Sequence, residues 1–106
     1  MEKISLKSAL EGLASGEGLA TLTAVNDTLV KAGRFNGRFP FHRHDDADEL
    51  FWVIAGRLTV ELRDRSIELS PGEMLLVPRG VEHRTAAPEE ARVVVIHPRS
   101  TRVPAG

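Results

Sequence analysis

The 106-residue chain contains no cysteine. Disulfides, thiolate metal sites and cysteine nucleophiles are excluded together, and the redox compartment is left open. No charge of one sign dominates. The net value is −1, which provides no overall attraction to nucleic acid or to an anionic membrane. Lysine is scarce: Lys3, Lys7 and Lys31 leave arginine to supply eleven of the 14 basic residues, which bears on surface chemistry more than on function. No lysine–arginine cluster of the kind that clamps a phosphate is visible. No apolar run approaches the roughly 20 residues of a membrane span. The first residues lack the basic, apolar and small-residue succession of a secretory leader. A cytoplasmic protein is expected by elimination. No repeat of solenoid length occurs.

What is present is ordinary for one soluble domain: 42% apolar and 27% charged residues. Leu6, Leu10 and Leu13 fall at helical spacing, which predicts a short amphipathic helix within residues 1–15. Ser5 or Ser8 can cap its start; Gly12 weakens it and Gly16 ends it. The helix reads as a lid packed on the body of the fold.

From Leu19 onward the pattern changes to short extended runs. Strands are predicted near 20–25, 28–34, 38–43, 49–55, 57–63, 66–69, 73–77, 82–86 and 91–97. Asn26-Asp27, Gly56, Asp64-Arg65, Ser70-Pro71-Gly72 and Pro78-Arg79-Gly80 supply turns. Arg57 to Arg63 alternates polar and apolar over its length, as a half-buried strand does. Many short strands at even spacing point to a closed all-β sandwich or barrel. The chain divides into a helical lid segment over 1–18, a barrel over 19–98 and an irregular tail over 99–106.

Leu50 to Ile54 is apolar at every position, which requires cover on both faces of that strand. Phe51 and Val53 line the barrel. Leu50, Trp52 and Ile54 then meet either the N-terminal helix or a second subunit. A homodimer is expected.

His42 and His44 project to the same side of an extended segment. The acidic loop Asp45-Asp46-Ala47-Asp48, read as a solvated rim, returns the chain so that Glu49 stands beside them. His83 follows the turn at Pro78-Arg79-Gly80, which brings it inward. Three imidazoles and a carboxylate make a nitrogen–oxygen set suited to one divalent transition metal ion: Fe, Mn, Zn, Ni or Cu. Phe39, Phe41, Phe51, Val53, Met74 and Leu76 are candidates to wall a dry pocket around it. Arg34 and Arg38 are candidates for its mouth; Arg43, Arg79, Glu82 and Arg84 are expected to point away. His97, before Pro98, reads as structural or surface.

These residues resemble those of the cupin family. Its first motif is Gly, five residues, His-x-His, three or four residues, Glu, six residues, Gly. Here the succession is Gly37, His42, His44, Glu49 and Gly56, with four residues after the first glycine. Its second motif is Gly, five residues, Pro-x-Gly, two residues, His, three residues, Asn. Gly72, Pro78, Gly80 and His83 are in register, and Ala87 stands where the motif has Asn. Fifteen residues separate Gly56 from Gly72, a short spacer of the compact bacterial kind. The resemblance implies a jelly-roll β-barrel with His42, His44, Glu49 and His83 as metal ligands.

Fold does not fix activity. The family includes dioxygenases, decarboxylases, sugar isomerases and ligand-sensing domains, and compact members are often labelled mannose-6-phosphate isomerase-like. With a divalent metal the four ligands sum to +1, which favours an anionic or chelating small molecule. The expectation is a metal-dependent enzyme of oxygenase or isomerase type on a small organic acid or oxygenated metabolite, with Glu49 as a ligand that also shuttles a proton. The alternative is a non-enzymatic metal-dependent binding or sensing module. Acid–base groups other than the ligands are expected to be few inside the barrel.

Overall fold

The structure, a computed structural model, describes residues 1–16 and 18–99. They form α1 (Leu6–Glu11), β1 (Leu19–Val25), β2 (Thr28–Arg38), β3 (Glu49–Ala55), β4 (Leu58–Glu61), β5 (Ser66–Leu69), β6 (Met74–Val77) and β7 (Arg84–Pro98). All strand pairs are antiparallel. One layer runs β1-β2-β7-β3-β6, and β4 joins β5 to the first part of β7. This is the expected β jelly roll with a short N-terminal helix. Of the tail expected over 99–106, residues 100–106 lie outside the described residues. No helix among the described residues is long and apolar enough to cross a membrane.

β7 is what closes the container. Arg84 to Ala86 pair with β4, whereas Arg92 to Ile96 lie between β2 and β3. The sequence pattern predicts two strands here, 82–86 and 91–97, with Pro88 between them. The chain instead stays extended through the proline. Phe35 pairs with Ala91 but Gly37 with Ala87, so the ladder opens between those pairs. A residue without an N–H costs nothing where the ladder is already open. The same bend lets β2 continue to Arg38, so the strand expected at 38–43 is lost. Its first residue belongs to β2, and beyond it only an isolated bridge at His42 remains.

Alternation then fills the interior. Phe35, Phe51, Val53, Leu58, Val60, Val93 and Val95 form one buried cluster. At its base Gly56 turns the chain at φ 79°, and a Cβ there would stand 2.5 Å from the Glu90 carbonyl oxygen. Both the turn and the close approach require glycine.

The helix is shorter than the 1–15 span of its pattern. Ser5 takes the N-cap, its Oγ accepting from the Ser8 N–H at 3.2 Å, and Gly12 is the C-cap. Leu10 anchors it, 1% exposed, on the β2 side of the barrel. The helix therefore does not lie on β3. Leu50, Trp52 and Ile54 are half-buried, and beside them on β6 Met74 and Leu76 are 55% and 53% exposed. Those two residues face outward, not into the pocket that the sequence pattern assigns them to. Leu75 and Val77 are the β6 side chains packed on the core.

Candidate metal centre

Three short segments meet at one end of the barrel. The first two are locked by a bridge: the His42 N–H donates to His83 O and the His83 N–H to His42 O, both at 2.9 Å. Their rings lie 4.5 Å apart, centroid to centroid. His44, two residues on, sets its ring 5.0 Å from that of His42. Its carbonyl accepts from the Gly80 N–H at 2.8 Å, which fastens the histidine segment to the Pro78–Gly80 turn. Asp48 Oδ1 accepts from the Arg79 N–H at 2.9 Å. Asp48 thus has a part in the turn, whereas the acidic loop was expected to be only solvated. Glu49 opens β3 opposite Val77 of β6, which carries it inward between the histidines.

The structure brings all four expected residues together. One donor atom from each of His42, His44, Glu49 and His83 lies within 4.8 Å of the others. Ligands on opposite sides of one metal ion, with bonds of about 2.1 Å, would be about 4.2 Å apart, so the cluster has the right scale. Glu49 and His83 are 1% exposed and His44 6%, while half-buried His42 marks the open side.

The tautomers suit ligation. His42 Nδ1 lies 2.9 Å from Pro40 O, and His83 Nδ1 lies 2.9 Å from Val81 O. A carbonyl oxygen only accepts, so each Nδ1 carries a hydrogen; the neutral His42 ring turns the lone pair of Nε2 inward, and His83 does the same once its Nε2 proton, directed at Glu49, has left. Backbone acceptors of this kind orient metal-binding imidazoles. His44 Nε2 and His83 Nε2 each lie 3.3 Å from Glu49 Oε1. His42 Nε2, His44 Nε2 and Glu49 Oε2 are buried without a hydrogen-bond partner. Buried acceptors without donors are costly, and a cation satisfies them together.

Two histidines share one carboxylate and titrate in opposite directions. Burial holds His44 below the ordinary imidazole range, and the neighbouring rings of His42 and His83 add to this against the pull of Glu49. Burial also acts to lower His83, but its hydrogen bonds to Glu49 and to Val81 O, with the carboxylate's charge, raise it overall. Glu49 therefore favours a proton on His83, while His44 stays neutral.

Other expectations meet a mixed outcome. Phe51 and Val53 line the interior and Phe39 packs against it. Phe41 does not: its ring is held between the guanidinium groups of Arg63 and Arg84, at 3.9 and 4.3 Å. Arg34 is bound to Glu90 at the base of the barrel and Arg38 pairs with Glu61, so neither serves the mouth. Arg43 and Glu82 point away as expected, paired with Asp45 and Arg63. Two inward polar residues escape the sequence pattern. Thr85 is fully buried and His97 is 2% exposed, which leaves the structural of its two readings, structural or surface. Alternation signals Thr85, two residues from His83; for His97, two from Val95, only the strand register shows which side is inward.

The barrel is shared with known proteins. A cupin-2 domain containing protein from Shewanella frigidimarina superposes with a TM-score of 0.88 at 34% identity, over 91% of this chain and 94% of that one. Protein NMB1881 from Neisseria meningitidis gives a TM-score of 0.82 at 23% identity, over 92% and 99%; at that identity the likeness is one of fold. The Bacillus subtilis protein YdbB is 38% identical over 66 residues, 61% of this chain and 58% of its own length. The chain thus spans little more than half of that relative. The cupin domain profile matches residues 30–97, the stretch that carries both histidine segments and Glu49. The chain belongs to the cupin domain family.

Proposed function

We propose that the protein binds one divalent transition metal ion through His42, His44, Glu49 and His83 and acts there on a small oxygenated, anionic metabolite. The observation that carries this is the set of buried acceptors at one point: imidazole nitrogens freed by backbone-held tautomers, around one carboxylate. Zn, Fe, Mn, Ni or Cu all suit such a donor set. When bound, the ion would supply Lewis acidity and, if redox-active, electron transfer. The chain's own residues hold the site dry. Phe51 and Val77 wall it, Glu49 sets the local negative charge, and half-buried His42 leaves an approach from solvent.

Elemental analysis of purified protein tests the first half: one metal per chain is expected, and none in the variant His42→Ala with His44→Ala. Full metal occupancy in that variant refutes the ligand assignment. Turnover is tested by oxygen uptake and isomerisation assays on small hydroxy acids and diketones, with cytoplasmic soluble extract as the expected source. Thr85 and His97 add polar groups to the interior, which favours an enzyme. A metal-dependent sensor is the alternative, supported by the otherwise apolar lining. Ligand-induced stabilisation with no turnover would select it.

We also propose that a second copy covers the outer face of β3 and β6. Trp52 pairs with Met74 and Leu50 with Leu76, which makes a connected apolar patch at the edge of the layer. Light scattering should give a dimer, and Met74→Glu with Leu76→Glu a monomer.

A further inference from the structure

His97 is a buried base that the metal ligands do not use. It follows Val93 and Val95 on β7, both in the core, and alternation turns it to the same inner face. β3 and β7 pair Leu50 with Ile96. One residue further along that ladder, His97 comes level with Glu49, at the usual Cβ spacing of about 5 Å. It is not one of the four converging donors.

Its protonation pattern is fixed by the backbone. Nδ1 lies 2.9 Å from Pro98 O, so Nδ1 carries the hydrogen and Nε2 is left as an acceptor. That Nε2 is buried and has no partner, and so is Glu49 Oε2 on the neighbouring strand. Two acceptors cannot satisfy each other, and a buried acceptor left unmet is costly. This corner of the barrel is built for something that donates.

We propose that His97 is a specificity-determining residue. Its Nε2 accepts a hydrogen bond from an O–H or N–H group carried next to the chelating carboxylate of the ligand, which makes 2-hydroxy or 2-amino acids the ligand class. This rests on the metal-binding reading of His42, His44, Glu49 and His83. A site that hydrogen-bonds a hydroxyl rejects the analogue without it, because its own acceptor is then stranded.

The test uses the full chain loaded with Co(II), titrated with glycolate and with its methyl ether, methoxyacetate, which lacks the donor. Calorimetry and the visible Co(II) spectrum report binding. The wild type should favour glycolate, and His97→Leu should lower the glycolate-to-methoxyacetate preference roughly 10-fold with Co(II) stoichiometry unchanged. His97→Gln, whose amide oxygen accepts, should keep part of the preference. An equal preference in wild type and His97→Leu overturns the proposal and leaves His97 a packing residue. Failure of the Co(II)-loaded wild type to bind either acid overturns it too. Failure to take up Co(II) at all instead removes the metal reading beneath it. Should His97→Leu not fold, the 15N resonance of His97 Nε2 in the Zn(II)-loaded wild type decides: glycolate must shift it more than methoxyacetate, and equal shifts overturn the proposal.

Discussion

The two ends of the barrel treat polar groups in opposite ways. At the base, Arg34 gives Glu90 an Nε hydrogen bond at 2.9 Å and an Nη2 contact at 2.7 Å, and its Nη1 reaches Leu13 O. The donors there have acceptors. At the other end, His42 Nε2, His44 Nε2, Glu49 Oε2, Thr85 Oγ1 and His97 Nε2 are the buried side-chain atoms left without partners among the described residues. A native interior leaves few such atoms, and each calls for an explanation. Ring nitrogens of His42 and His97 and the Glu49 carboxylate oxygen, left as acceptors, set this end apart as one open to a cation and a donor.

Removing the carboxylate breaks that contrast most severely. Glu49→Gln keeps the size of the side chain but takes away the single negative charge among three imidazoles. Metal affinity should fall by more than the roughly 10–100-fold that loss of an outer partner costs, with the far-ultraviolet spectrum unchanged. Metal titration followed by calorimetry measures it. An unchanged affinity would mean that the histidines alone hold the ion.

The converse change at the base should cost stability and spare metal affinity. Gly56→Ala forces a left-handed backbone on alanine, at about 1–2 kcal/mol, and sets its methyl 2.5 Å from the Glu90 carbonyl oxygen, so the loss should exceed that range. Urea unfolding of the metal-free protein reads it. A variant that loses metal as well would show that the two ends are coupled.

Proton release sharpens the comparison from the metal end. His83 titrates above its ordinary value near 6.5 and His44 below it. In the metal-free protein the raised group adds stability that is full below the unfolded value and is lost as pH rises through the folded one. The lowered group adds stability present above 6.5 and lost as pH falls through its folded value. The first loss lies above 6.5 and the second below it, so metal-free stability should pass through a maximum near 6.5. Metal requires neutral imidazoles, so the stabilisation it brings should shrink as pH falls. At pH 7 binding should release a fraction of a proton from His83, visible as a dependence of calorimetric heat on the buffer's ionisation enthalpy. Glu49→Gln should diminish that release.

Legibility in the sequence follows the same division. The centre was readable because its spacing is rigid: His42 and His44 must share a side, and the turns at Gly56 and Gly80 fix where β3 ends and where the His83 segment begins. The faces of β6 and β7 were not readable. Met74 to Val77 and Val93 to Ile96 are apolar at every position, and a run without polar punctuation carries no mark of which residues point inward. Only the register, Glu49 against Val77 and Leu50 against Ile96, assigns the faces. That is why Met74 and Leu76 were expected in the pocket and His97 was not. β7 passed for two strands with Pro88 between them, and only its partner β2 shows that the proline falls at an open stretch of the ladder.

The smallest effect is expected at the helix, which packs on β2. Six residues cannot hold a helix by themselves, so α1 persists through the burial of Leu10 and the cap at Ser5. The cap bond, Ser8 N–H to Ser5 Oγ at 3.2 Å, is exposed, and Ser5→Ala should cost about 0.5–1 kcal/mol. A loss of that size is a roughly 2–5-fold rise in local opening. Hydrogen exchange should therefore quicken at the α1 amides while those of β3 and β7, and the affinity for metal, stay as they were. Exchange that does not change would mean that Leu10 alone fastens the helix. Exchange that quickens in β3 as well would mean that the lid supports the barrel, and with it the end that holds the histidines.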